Sequence, residues 1–202
     1  EAHLVSLIVQ SGGTIKNRSE IAGIGYHALL VDLPVQQVSA VLEDGADAIS
    51  ILTADEVMFV GPSTPMSVAA PADEDLPTST SPLPSGRVEE LPRIALLDGL
   101  PFANHDALAG RLTIDDPDGL GEDYGVGARH HGTAMASLII HGDLSSSAEP
   151  LDRRLYVRPI MRPHEFLPGV EHVLDEELFP DLLHRAILRI VGDGRGQRPE
   201  AP

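Results

Sequence analysis

The sequence has no cysteine and no tryptophan, and aromatic residues make up only 3% of its 202 positions. The missing cysteine excludes a disulfide scaffold, thiolate metal sites and a cysteine nucleophile, and is compatible with the cytoplasm. Basic residues are also scarce, with 14 Lys and Arg against 31 Asp and Glu and a net charge of -17. Nucleic acid is gripped by clustered cations that this chain lacks, so it is excluded as a partner. An acidic surface of this kind favours solubility, cations and basic partners. No apolar run is long enough to cross a bilayer, so no membrane partner is expected. The first residues, Glu1-Ala2-His3, carry no initiator Met, basic leader or cleavage pattern. The chain is therefore expected to be a piece of a longer protein, with the cytoplasm as the favoured location.

What is present is an apolar share of 42%, mostly Leu, Val, Ile and Ala, beside 17 Pro and 19 Gly. The core is expected to be aliphatic, and the Pro and Gly content points to linkers. Three regions follow. Residues 1–60 read as a small α+β unit. They comprise an apolar helix around Leu4–Val9, a strand over Tyr26–Leu33, a helix from Pro34 to Gly45, and strands over Ile49–Leu52 and Val57–Val60. Residues 61–92 read as a Pro- and Ser-rich acidic linker without apolar periodicity. From Arg93 to Pro202, strands and helices alternate: strands at Ile94–Leu97, Leu112–Ile114 and Leu155–Ile160, helices at Phe102–Ala109, His131–Ile140 and Glu176–Val191. This alternation predicts an α/β fold with a doubly wound parallel sheet.

Two segments of the third region carry candidate chemistry. Ile94-Ala95-Leu96-Leu97-Asp98-Gly99 sets a carboxylate at the C-terminal end of a buried strand, the edge where α/β folds hold ligands. Asp-Gly is equally ordinary turn chemistry, so Asp98 alone reads both ways. His131-Gly132-Thr133-Ala134-Met135-Ala136-Ser137 puts an imidazole in the first turn of a helix, where the dipole disfavours its charged form. The small residues behind it allow close packing on the sheet, and a neutral imidazole there can act as a base. A structural histidine beside a glycine turn is the alternative.

Taken together, the two segments resemble the Asp and His motifs of the subtilisin-like serine peptidases, in which the triad runs Asp, His, Ser. His131 follows Asp98 by 33 residues, in keeping with that family, and the resemblance extends over about residues 93–191. It implies a partial subtilisin-like sheet, a peptide or protein substrate, Asp98 supporting the imidazole, and His131 relaying the nucleophile's proton. It also implies that residues 1–60 are a propeptide-like unit, against the alternative of an unrelated small module. Departures are plain: Gly99 follows Asp98 directly where the family has Ser or Thr, and Ala134 stands where many members have a second His. The Gly132–Ala136 stretch also resembles the family's serine motif with its serine lost, but the preceding His131 favours the His motif. After His131 the only serines are Ser137 and Ser145–Ser147, and no Asn follows Asn104. The nucleophile and oxyanion Asn would come from a missing C-terminal part of the same catalytic domain. These 202 residues alone are expected to be inactive. The rival reading is a non-enzymatic module that binds or regulates a protease on a degenerate scaffold.

No cofactor is expected. The acidic stretch Asp115-Asp116-Pro117-Asp118-Gly119, with Glu122 and Asp123, offers clustered oxygens for Ca²⁺ without the spacing of an EF-hand. Its glycines lack the spacing of a nucleotide loop. His105, His130, His131 and His141 raise a metal-hydrolase alternative, but no H-E-x-x-H pattern accompanies them. His164, His172 and His184 read as surface or packing residues.

Overall fold

The computed structural model describes residues 1–63, 67–69, 88–89, 91–143 and 149–192. Most of the expected linker, together with Ser145–Ser147 and residues 193–202, lies outside the described residues. The chain divides into two compact units, 1–64 with 175–185, and 65–174 with 186–202. No described helix is long and apolar enough to cross a membrane.

The first unit opens with helix α1 (Ala2–Gln10) and a hairpin of β1 (Thr14–Ile21) and β2 (Tyr26–Asp32), followed by helix α2 (Val35–Asp44). The strands pair antiparallel from Thr14↔Asp32 to Ile21↔Tyr26, with an irregularity between Ile15 and Asn17. Pro34 precedes α2 with φ -54, a backbone angle already suited to helix entry. Buried Ile8, Ile49 and Ile51 centre the core, packed by Leu4, Leu7, Ile15, Leu29, Val31, Leu33, Val41 and Leu52.

Two expectations for this unit are corrected. Residues 49–52 and 57–60 are not strands. Ile49 and Ile51 are buried within turns, while Met58 and Phe59 stand exposed. The strand that pairs with β2 is instead the polar stretch TIKNRSEI. One face of an antiparallel hairpin meets water, so its residues alternate between polar and apolar and show no apolar run. The element order suggesting a propeptide in the sequence is therefore not the order of the folded unit.

The second unit is α/β, with a parallel three-stranded sheet in the order β4-β6-β5: β4 (Ala95–Asp98), β6 (Leu155–Pro159) and β5 (Leu112–Ile114). The register runs Ala95↔Tyr156 to Asp98↔Pro159 on one side of β6, and Leu112↔Leu155 to Ile114↔Val157 on the other. β6, between two neighbours, is almost wholly buried, and its one charged residue, Arg158, pairs with Asp118. Helix α3 (His130–His141) sends Ala136 and Ile140 against Leu96, Leu108, Leu155 and Val157. A second sheet, antiparallel, has the order β3-β8-β7: β3 (Ser67–Ala69), β8 (Val170–His172) and β7 (Arg162–Pro163).

The expected helix at Phe102–Ala109 is a run of turns. His105 explains part of this, because its Nδ1 accepts a hydrogen bond from the Ala107 N–H at 3.2 Å and so competes with helical bonding. The last helix, α4 (Phe179–Val191), begins three residues later than expected, with Pro180 in its first turn. Leu182 and Ala186 are buried, whereas Ile187 and Ile190, expected on the buried face, are exposed.

Candidate active site

Asp98 is the last residue of β4 and is only 5% exposed. Its Oδ1 accepts a hydrogen bond from the Gly99 N–H at 2.8 Å, which orients the carboxylate. Its Oδ2 lies 3.3 Å from Nε2 of His131, in the first turn of α3. The structure thus brings together the two residues that the sequence singles out, one at a strand end and the other at a helix start.

Two glycines make the approach possible. A Cβ on Gly132 would stand 2.6 Å from the Gly99 carbonyl oxygen and 2.9 Å from its carbon, so the first turn of α3 rests directly on the peptide following Asp98. Thr133 fastens the same junction: its hydroxyl donates to the Arg129 carbonyl at 2.6 Å and accepts from the Phe102 N–H at 2.9 Å. The His-Gly-Thr sequence therefore makes three separate contributions: an imidazole facing the carboxylate, a close approach and a clamp.

Gly99 serves a third element. A Cβ there would fall 1.8 Å from Oε1 of Glu171, so that carboxyl group occupies the space a side chain would need. Glu171 lies in β8, is 2% exposed, and accepts a hydrogen bond from the Tyr124 hydroxyl on Oε1 at 2.6 Å. Its Oε2 is buried without a hydrogen-bond partner. Burial, reinforced by the Asp98 charge, holds the Glu171 carboxyl above the usual carboxylate range. Burial and the bond to Glu171 likewise push the Tyr124 phenol far up. Among the described residues, Asp98, His131 and Glu171 form a group able to hold a metal ion, each offering one ligand atom within 4.8 Å of the others.

Sequence reasoning missed Glu171 and Tyr124. Glu171 stands in a three-residue strand after a Pro-Gly turn, some seventy positions beyond Asp98, and no local pattern marks it. The void left by Gly99 is its only trace in the sequence.

Other candidates scatter. His141 Nε2 meets the Ala107 carbonyl at 2.8 Å inside the core, His105 caps its own turn, and His130 is exposed. The His164 and His172 rings lie against each other at a tilt of 54°, with centroids 5.1 Å apart. In the acidic loop four of the five carboxylates, Asp115, Asp116, Asp118 and Asp123, take different partners. Asp115 is bound by Arg189 and Tyr156, while Asp116 accepts the Leu120 and Gly121 N–H groups. Asp118 meets Arg158 at 2.9 Å and Asp123 meets Arg162 at 3.7 Å. The chain matches no family model, no curated protein and no solved structure.

Proposed function

We propose that the chain carries the Asp and His of a subtilisin-like serine endopeptidase, with the nucleophilic serine supplied by residues beyond these 202. The observation that carries this reading is the 3.3 Å approach of Asp98 to His131 across a strand end and a helix start. Parallel strands with a carboxylate at the C-terminal edge and a helix opening on the imidazole suit the subtilisin arrangement, in the chain order Asp, His, Ser. Asp98 is buried enough to stabilise an imidazolium, and His131, with a fifth of its side chain exposed, is open to a nucleophile.

The proton relay in such a triad presents Nδ1 to the carboxylate and Nε2 to the serine. Here Nε2 faces Asp98. In this reading the ring turns over when the serine-bearing segment is in place, freeing Nε2 to take the serine proton as the hydroxyl attacks a peptide carbonyl. The same nitrogen then returns that proton to the departing amine. Ser137 does not serve as the nucleophile, because it sits six residues along α3 from His131, about 9 Å along the helix axis.

The test uses the longer protein encoded by the gene, with a serine-directed fluorophosphonate and a peptide substrate. Labelling of a single downstream serine is expected, with hydrolysis falling by about 10⁴-fold in Asp98→Asn and at least as far in His131→Ala. A protein that hydrolyses peptides equally well after His131→Ala, or that no serine reagent labels, overturns the proposal. The latter result favours the non-enzymatic module.

A further inference from the structure

We propose that Asp98, His131 and Glu171 bind a divalent transition-metal ion of the zinc class, and that the bound ion holds the imidazole out of proton transfer. The inhibitory part rests on the peptidase reading above; the binding part does not.

The geometry is already close to a ligand set. Two ligands on a tetrahedral zinc ion with bonds of about 2.1 Å stand about 3.4 Å apart. Asp98 Oδ2 and His131 Nε2 are separated by 3.3 Å. The Glu171 carboxyl completes the triangle, with all three donor atoms within 4.8 Å of one another. The acceptor left for the ion is Oε2, which has no hydrogen-bond partner in a residue that is 98% buried. A buried acceptor left unmet costs about 1–3 kcal/mol, and more when charged.

Charge points the same way. Two carboxylates stand side by side, Asp98 and Glu171, with the His131 imidazole within reach of both. Such a pair in a dry site needs a compensating positive charge. Calcium and magnesium favour larger sets of oxygens, whereas one imidazole with two carboxylates suits zinc and its neighbours. Tyr124, donating to Oε1, provides the outer-shell support that zinc carboxylates usually have. The partly exposed His131 side leaves a way in and a fourth position for water. With its Nε2 lone pair directed at the ion, His131 no longer accepts a proton.

The full chain, stripped with chelator, is titrated with Co²⁺ and then Zn²⁺. One Co²⁺ per chain, with the visible absorption of a tetrahedral site and displacement by Zn²⁺, is expected. Glu171→Gln and His131→Ala weaken binding at least by the ~10–100-fold that loss of an outer-shell partner costs, and Tyr124→Phe falls within that range. Asp123→Asn, in the acidic loop, leaves it unchanged. Absence of saturable binding by the wild-type chain, which requires no variant to fold, overturns the proposal, as does equal weakening by Asp123→Asn. Metal binding by this chain beside a longer protein without peptidase activity defeats the peptidase reading alone. Hydrolysis that persists with Zn²⁺ bound defeats the inhibitory part.

Discussion

The acidic loop and the Asp98 site use the same residue type in opposite ways. In the loop, four carboxylates are each answered by an arginine or by backbone N–H groups, and they remain partly exposed. At the site, two carboxylates are buried within reach of one imidazole, and one carboxylate oxygen has no hydrogen-bond partner. The loop holds more negative charge per residue of sequence, yet it is electrostatically settled. The lesson is that acidic density along a chain is a poor guide to a reactive site. The better guide is a buried charge without its own counter-ion, because such a charge lowers stability and persists where it does something else.

The largest effect expected from this contrast is on the glycines. Gly132→Ala drives a Cβ into the Gly99 carbonyl, and backbone cannot yield as a side chain can. A loss of about 2 kcal/mol follows, seen as a fall of about 4–8 °C in melting temperature for a chain of this length. Gly125→Ala, in the acidic region, meets nothing within 4 Å and has φ -66, so its melt stays put or rises slightly. Gly99→Ala belongs between them, since the atom it strikes is the movable end of Glu171. Equal melts for Gly132→Ala and Gly125→Ala would erase the distinction between the two regions.

Glu171→Gln sharpens it further. The amide keeps an oxygen for the Tyr124 hydroxyl and removes a buried charge next to Asp98. In chelator the variant is expected to melt higher than wild type, by about 1 kcal/mol, the lower end for relieving a buried ionic group. If the variant instead melts lower, the carboxylate is structural, as those of the loop are.

Much of the second unit was legible from local signals. The apolar run Ile94–Leu97 announces a strand, although the sheet order places β4 at an edge with Ala95 exposed rather than buried on both faces, and the small residues of His131–Ser137 announce a helix packed against backbone. Asp98 and His131 were visible for the same reason, since each sits at the boundary of a strongly patterned element. Glu171 was not, because what makes it special is the space beside Gly99, which its carboxyl fills only once the chain is folded. The first unit shows the converse failure. β1 hides because it alternates exposed Lys16, Arg18 and Glu20 with half-buried or buried neighbours, and Ile49–Leu52 looks like a strand because burial alone makes a short run apolar. A short apolar run reports burial more reliably than it reports backbone geometry.

The smallest effect lies in the loop and has a definite sign with pH. Hydrogen bonds from Arg189 hold the Asp115 carboxyl below its ordinary value of 3.8. The folded chain therefore binds that proton less readily than the unfolded chain. The stability this pair adds is complete above the unfolded value and fades as pH falls through the folded one. Asp115→Asn is expected to lower stability by about 1 kcal/mol at neutral pH, the upper range for a partly exposed pair. The difference from wild type shrinks as the melts are carried into acid. Tyr156 supplies an independent reading. Its phenol is pushed up to about 12 by burial first and by its bond to Asp115 second, so the variant's ultraviolet titration should move back toward 10. A stability difference that persists unchanged into acid would show that Asp115 acts through packing rather than charge, and the loop would no longer be the electrostatically settled counterpart of the buried site.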